Sequence, residues 1–276
     1  MDHRVLAASG AALDRTAGGA ERRPHPRRRG RRIVAGLLAL LAAAGLAAAA
    51  GTAPDSRAVT RQRFKETQKL ARHRGDALFG VFRGKLAAEE RDALEFLYAY
   101  MPLADLADHD GAFYLAAVRA SLRARRELPW GPQIPEELFR HFVLPLRVNN
   151  ETLDTFRQDM YPDIKTRVAG LTLRQAVIEI NHWCHERVVY HGTDARTSSP
   201  LATIRTAYGR CGEESVLAVA ALRAACIPAR QCYTPRWAHT DDNHAWVEVW
   251  VDGGWHYLGA CEPEPDLDLA WFREPV

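Results

Sequence analysis

Residues 208–215 read YGRCGEES and run on into VLAVAALRAA. Gly209 makes the approach turn-like, and Gly212, Glu213, Glu214 and Ser215 open a run suited to a helix, so Cys211 is expected at a helix N-terminus. Amides there lack partners inside the helix and carry the positive end of its dipole. A thiol attacks carbonyls only as thiolate, and a free cysteine has a pKa of about 8.5, so an anion-favouring helix end is one of two devices that activate it. The other is a neighbouring imidazole. Glu213 and Glu214 suit the helix end but would oppose a thiolate if they faced it. A buried, inert cysteine is the competing reading.

Working outward, three strand-like runs follow: IPARQCYTP (227–235), NHAWVEVWVD (243–252) and GWHYLGACE (254–262). Alternation in the last two, with Asp252, Gly253 and Gly254 between them, predicts a hairpin. His244 opens the second run, at a loop-to-strand junction from which a sheet can aim a side chain at a helix end. Upstream, LTLRQAVIEINHWCHERVVY (171–190) puts Leu173, Ala176, Val177, Ile180 and Trp183 on one helical stripe. The stretch 191–210 reads as a loop. Residues 58–127 read as helical, with Leu86, Ala93, Leu94, Leu97 and Met101 on one face before Pro102. LPWGPQIP (128–135) is a loop, and short helical pieces broken at Pro145, Asn149 and Asn150 follow. Helices first and antiparallel sheet second give an α+β class. The expected division is 1–51 as a basic leader with an apolar run, 58–150 as a helical region, and 151–276 as the core.

The chain has 276 residues, 47% of them apolar, enough for a substantial core. Its net charge of +3 is uneven: residues 1–32 hold nine Arg against Asp2, Asp14 and Glu21, a balance of +6, which leaves −3 for residues 33–276. That remainder has no basic excess and excludes a nucleic-acid surface as the expected function. Residues 33–51, IVAGLLALLAAAGLAAAAG, carry no charge and follow the basic segment, as in an export signal. Cleaved signal peptide, retained membrane anchor and plain Ala-rich helix are the three readings, and the first two place the core outside the cytoplasm, secreted or anchored. Five cysteines, Cys184, Cys211, Cys226, Cys232 and Cys261, cannot all pair within one chain. Cys184, Cys226, Cys232 and Cys261 are expected in the core, with a redox pairing of Cys261 and Cys211 as a minor alternative.

Tyr190, then YGRCGEES, IPARQCYTP and HAWVEVWVDGGWHYLGA, in that order, resemble the transglutaminase-like superfamily over residues 172–265. The segment LPWGPQIPEELFRHFVLPLRVNNE resembles the N-terminal extension of exported bacterial members. The resemblance implies a papain-like core in which a helix bearing Cys packs on an antiparallel sheet, with Cys211 as nucleophile and His244 as its base and later acid. It also implies a cysteine peptidase or amidase, or a protein-glutamine acyltransferase, acting through an acyl-enzyme resolved by water or by an amine. The family's third member, an Asp on the next strand, falls on Gly259. Only fourteen residues follow Glu262, so the core is expected to be truncated at its C-terminus relative to the family.

Substitutes for that Asp are constrained by geometry. Glu248 shares a strand face with His244 but lies ~13 Å along it, out of reach. Glu262 would point to the opposite face on a regular strand, and a bulge or turn at ACEPEP could bring it round. Asp241, Asp242 and Asn243 are local candidates; a backbone carbonyl, a water, or no orienting group at all are the others. For an oxyanion hole the Cys211 amide is one donor, with Tyr208 or Trp237 as a second. Trp237 and His239 are expected to border the cleft, and Trp246, Trp250 and Trp255 to lie in the core or cover the sheet, with a substrate wall as the alternative. His182, Cys184, His185 and His191 are expected at a helix end rather than around a metal; no metal and no cofactor is called for. A protein, peptide or cell-wall peptide is the expected substrate, with membrane anchoring through 33–51 as the one further contact. The rival function is a binding module at the cell envelope that keeps the fold and has lost catalysis.

Overall fold

Helices lead and a three-stranded sheet follows. The computed structural model describes residues 56–192, 196–237 and 241–273. The leader to residue 51, and His239, lie outside them. The described residues fall in one unit, Pro54–Val276. Its helices are α1 (Ser56–Leu70), α2 (Gly75–Phe79), α3 (Ala88–Tyr100), α4 (Asp105–Asp108), α5 (Gly111–Glu127), α6 (Glu136–Phe142), α7 (Phe156–Arg167) and α8 (Leu173–His185). Next come β1 (Val189–Tyr190), α9 (Pro200–Thr206), β2 (Tyr208–Gly209) and α10 (Cys211–Ala224), then β3 (Ala229–Thr234), β4 (His244–Val251) and β5 (Gly254–Leu258). Among the described residues no helix is long and apolar enough to cross a membrane.

α9 and the β1–β2 pair lie in the stretch read as loop. Ser199 caps α9 by accepting from the Ala202 amide at 3.4 Å, and Pro200 takes the first turn, where its missing N–H costs nothing. That start signal was legible, but seven residues carry too few apolar positions to show a period. β1 and β2 pair in parallel through Val189↔Tyr208 and Tyr190↔Gly209, which fixes the approach to Cys211.

The sheet has the order β3-β4-β5, antiparallel throughout. Its hairpin turns at Asp252 and Gly253, both with positive φ, between paired Val251 and Gly254, a two-residue loop whose twist matches the strands. Along β4, Ala245, Val247, Val249 and Val251 are buried in the core, while Trp246, Glu248 and Trp250 stand half-buried on the other face. α10 is apolar all round, with Val216, Leu217, Val219, Ala221 and Leu222 buried, because it lies inside the molecule between α7, α8 and the sheet.

The N-terminal helices pack directly on this core and share its apolar cluster. The loop after α5 closes on the far end of α10, where Trp130 Nε1 donates to the Ala225 carbonyl at 2.8 Å. Two buried guanidiniums tie the same region together with no carboxylate partner among the described residues: Arg157 donates to the Leu144 and Pro145 carbonyls, and Arg223 to those of Pro145, Arg147 and Ala229. Spending their donors on carbonyls satisfies cations that are almost wholly out of water.

Candidate active site

Cys211 is the first residue of α10 and half-buried. Arg210 precedes it as the cap: its backbone N–H donates to Glu213 Oε2 at 2.9 Å, and its guanidinium grips the same carboxylate at 2.9 and 3.1 Å. Burial pushes the Glu213 carboxyl up, but these bonds outweigh burial and hold it below its usual value. Glu214, one turn after Cys211, is buried, and its carboxyl is pushed up to about 8 by burial first and then by Glu262 and Glu213. At neutral pH one acid of the GEES run is therefore paired and the other largely protonated, so the pair does not present two free charges to the sulfur.

This fixes a stability prediction. A group whose folded pKa is raised contributes stability fully present below its ordinary value of 4.5, and lost as pH rises through about 8. Melting of the Glu214→Gln variant should change less between pH 5 and pH 9 than that of the wild type, by on the order of 5 °C. Equal pH dependence of the two proteins would show that Glu214 ionises freely in the fold.

β3 ties down the first turn of α10. Gln231 donates to Ser215 Oγ at 2.8 Å and to the Gly212 carbonyl at 3.4 Å. Residue type alone did not single out Gln231, since a mid-strand glutamine is usually a surface residue.

His244 opens β4 opposite Thr234, on the sheet face that also carries Trp246. Its ring is boxed by Trp237 at 5.8 Å, Trp246 at 6.3 Å, Trp271 at 4.8 Å and Phe272 at 5.1 Å between centroids. Burial lowers its pKa below the ordinary 6.5, and Nε2 is buried without a hydrogen-bond partner among the described residues. Among the described residues no hydrogen bond joins the Cys211 thiol to either imidazole nitrogen. Tyr208 is exposed and packs at 5.2 Å on His191, and Trp237 lies on the imidazole side. Glu248 shares the His244 face, but its carboxylate is taken by Arg230 at 2.6 Å.

β5 ends at Leu258, so Gly259 lies in a turn rather than on a strand. The Glu262 amide donates back to the Gly259 carbonyl at 3.2 Å, and Cys261 takes φ 59° to close the turn. Glu262 is thereby folded over Gly259: a Cβ placed on residue 259 would lie 2.5 Å from Glu262 Oε2. The backbone of Gly259 needs no positive φ. The space beside the glycine is filled by the flexible end of a carboxylate from three residues on, which a side chain at 259 would have to displace. That carboxylate accepts from Trp271 Nε1 at 3.0 Å, so one indole separates Glu262 from His244. Burial raises the Glu262 carboxyl, partly countered by the indole N–H.

Trp271 reaches this place because Asp268 anchors the last segment on β5. Asp268 accepts from the Tyr257 amide at 2.9 Å, lies 2.6 Å from His256 Nδ1, and its carbonyl accepts from the Tyr257 hydroxyl at 2.7 Å. Trp271 is hidden in the sequence, since nothing local marks a residue nine positions after Glu262 as its partner.

Of the remaining cysteines, Cys184, Cys226 and Cys261 are buried, whereas Cys232 is half-buried on β3 opposite Trp246, on the sheet's outer face. Cys261 neighbours Cys184, which together with burial pushes its thiol well up, and its Sγ donates to the Glu214 carbonyl at 3.7 Å. His185 Nδ1 donates to the Cys261 carbonyl at 2.9 Å.

Residues 163–260 match the family model of the transglutaminase-like superfamily, and the core is an α+β, transglutaminase-like one. The chain is also similar to a crystal structure from Cytophaga hutchinsonii, provisionally described as a cysteine protease, at 22% identity and a TM-score of 0.38. That match covers 51% of this chain and 48% of the other, so the chain spans about half of the structure it matches. Among curated proteins, none matches.

Proposed function

We propose, from a core that matches the transglutaminase-like superfamily, that this chain is an exported thiol enzyme acting on amide or peptide bonds through an acyl-enzyme on Cys211. Export is supported by the basic and apolar pattern of residues 1–51. The observation that carries the chemistry is the filling of the space over Gly259 by the Glu262 carboxylate, where the superfamily's Asp would stand. Neutral His244 accepts the Cys211 proton; the sulfur attacks the carbonyl carbon, and the imidazolium returns the proton to the departing amine as the C–N bond breaks. Water or a second amine then attacks the thioester, its proton passes to His244, and the thiolate leaves. Glu262 serves as counter-charge to the imidazolium across Trp271, the indole whose N–H holds its carboxylate. The thiol and imidazole close on each other when substrate binds, as catalytic hydrogen bonds often tighten only in the complex. The substrate is a protein, a peptide or a cell-wall peptide.

The acid limb of activity follows from His244. The base must be neutral, and burial lowers its pKa, so kcat/KM should hold its plateau down to a pH below 6.5 and fall only beneath it. A limb at or above the ordinary imidazole value in a steady-state pH profile would contradict this base. A second reading, a binding module without catalysis, is favoured by one observation: Trp271 and Phe272 pack on His244, and Nε2 meets no partner among the described residues.

A further inference from the structure

Glu262 can fold over Gly259 only while the turn 259–262 keeps its shape, and that shape is held from α8. Asn181, buried on the third turn of that helix, grips the turn at two points: Nδ2 donates to the Gly259 carbonyl at 2.9 Å, and Oδ1 accepts from the Cys261 amide at 2.8 Å. Residues 184 and 185 lie three and four positions on, hence on the same helix face. His185 Nδ1 takes the Cys261 carbonyl at 2.9 Å. From the other side the Cys261 thiol donates to the Glu214 carbonyl at 3.7 Å, joining the turn to the helix that bears Cys211. Both main-chain polar groups of Cys261 are thus fixed. Cys261 needs this, because it sits in the left-handed region that non-glycine residues seldom enter.

We propose that Asn181 is the positioning residue that sets the Glu262 carboxylate for His244. The inference rests on the reading that Glu262 serves His244. Asn181 touches neither the thiol nor the imidazole; it acts through the turn. A side-chain amide suits the task because one planar group offers a donor and an acceptor, matching a carbonyl and an N–H two residues apart. Asp, the same shape without the donor, would set an oxygen against the Gly259 carbonyl.

The test compares wild type, Asn181→Ala, Asn181→Asp, Glu262→Gln and the double variant Asn181→Ala/Glu262→Gln in the full chain. The readouts are the pH profile of Cys211 alkylation by iodoacetamide under native conditions and, separately, the melting temperature. Glu262→Gln should slow alkylation near neutral pH by roughly tenfold, the equivalent of one unit of imidazolium stabilisation. Asn181→Ala should slow it to a similar degree and move the profile in the same direction, and the double variant should be no slower than Glu262→Gln alone. Asn181→Asp should also slow it, which keeps the inference testable if the alanine variant does not fold. A folded Asn181 variant with the wild-type profile, or a double variant showing the product of both effects, would overturn the role of Asn181 and leave that of Glu262 standing. A wild-type profile in Glu262→Gln would instead remove the reading beneath it, and the inference with it.

Discussion

Cys211→Ala is expected to lower amide turnover by at least about a thousandfold while the protein still folds, since the residue is half-buried at a helix start and fills no core space. The same substitution should abolish native thiol labelling. Cys184, Cys226 and Cys261 are out of solvent, and burial pushes the Cys226 thiol up to about 12. Cys232 is partly accessible, but burial and then Glu248 hold its thiol up at about 11, which leaves little thiolate at neutral pH. One equivalent of iodoacetamide should therefore go to Cys211 in the wild type and nowhere in the variant. Labelling that falls equally on Cys232, or a variant that keeps a tenth of the turnover, would remove Cys211 from the chemistry.

Gly259→Asp should lower turnover by about tenfold or more and reduce the melting temperature, although it restores the residue that the superfamily resemblance expects. The new Cβ would lie 2.5 Å from Glu262 Oε2 and 3.1 Å from Glu262 Cβ, so Glu262 must leave its bond to Trp271. A further carboxylate would also enter a buried site that already holds Glu214 and Glu262. Removing the clash should rescue the site. In Gly259→Asp/Glu262→Ala the carboxylate comes from residue 259, whose backbone admits a side chain, and kcat/KM should return to within a few-fold of wild type. Glu262→Ala alone should remain about tenfold down. If the double variant is no better than Glu262→Ala, the two positions do not supply the same group.

How much of this was legible in the sequence depends on the range of each interaction. The helix start at Cys211, the stripe of α8 and the hairpin at Asp252 and Gly253 follow from contacts within a few residues, and the pattern shows them. Alternation along β4 likewise puts His244 with Trp246 and Glu248, and Glu248 could be set aside from spacing alone. Glu262 was legible as a candidate, but its direction was not, because the turn depends on Asn181, 80 positions before Cys261. Trp271 was hidden for a similar reason: it is delivered by Asp268, which binds β5 through Tyr257 and His256. The cluster NHWCHERVVYH offered metal ligands by composition, yet the structure commits Asn181, Cys184 and His185 to the turn 259–262. Partners so distant leave no period and no spacing to read.

In the proposed reaction Cys211, served by His244, carries the acyl group. The most direct measurement is peptide mass spectrometry of the native protein after brief exposure to an activated acyl ester at pH 7. One acyl group is expected on the peptide containing Cys211, absent in Cys211→Ala and formed at least tenfold more slowly in His244→Ala. Acylation scattered over lysines with none on Cys211, or an unchanged rate without His244, would contradict it.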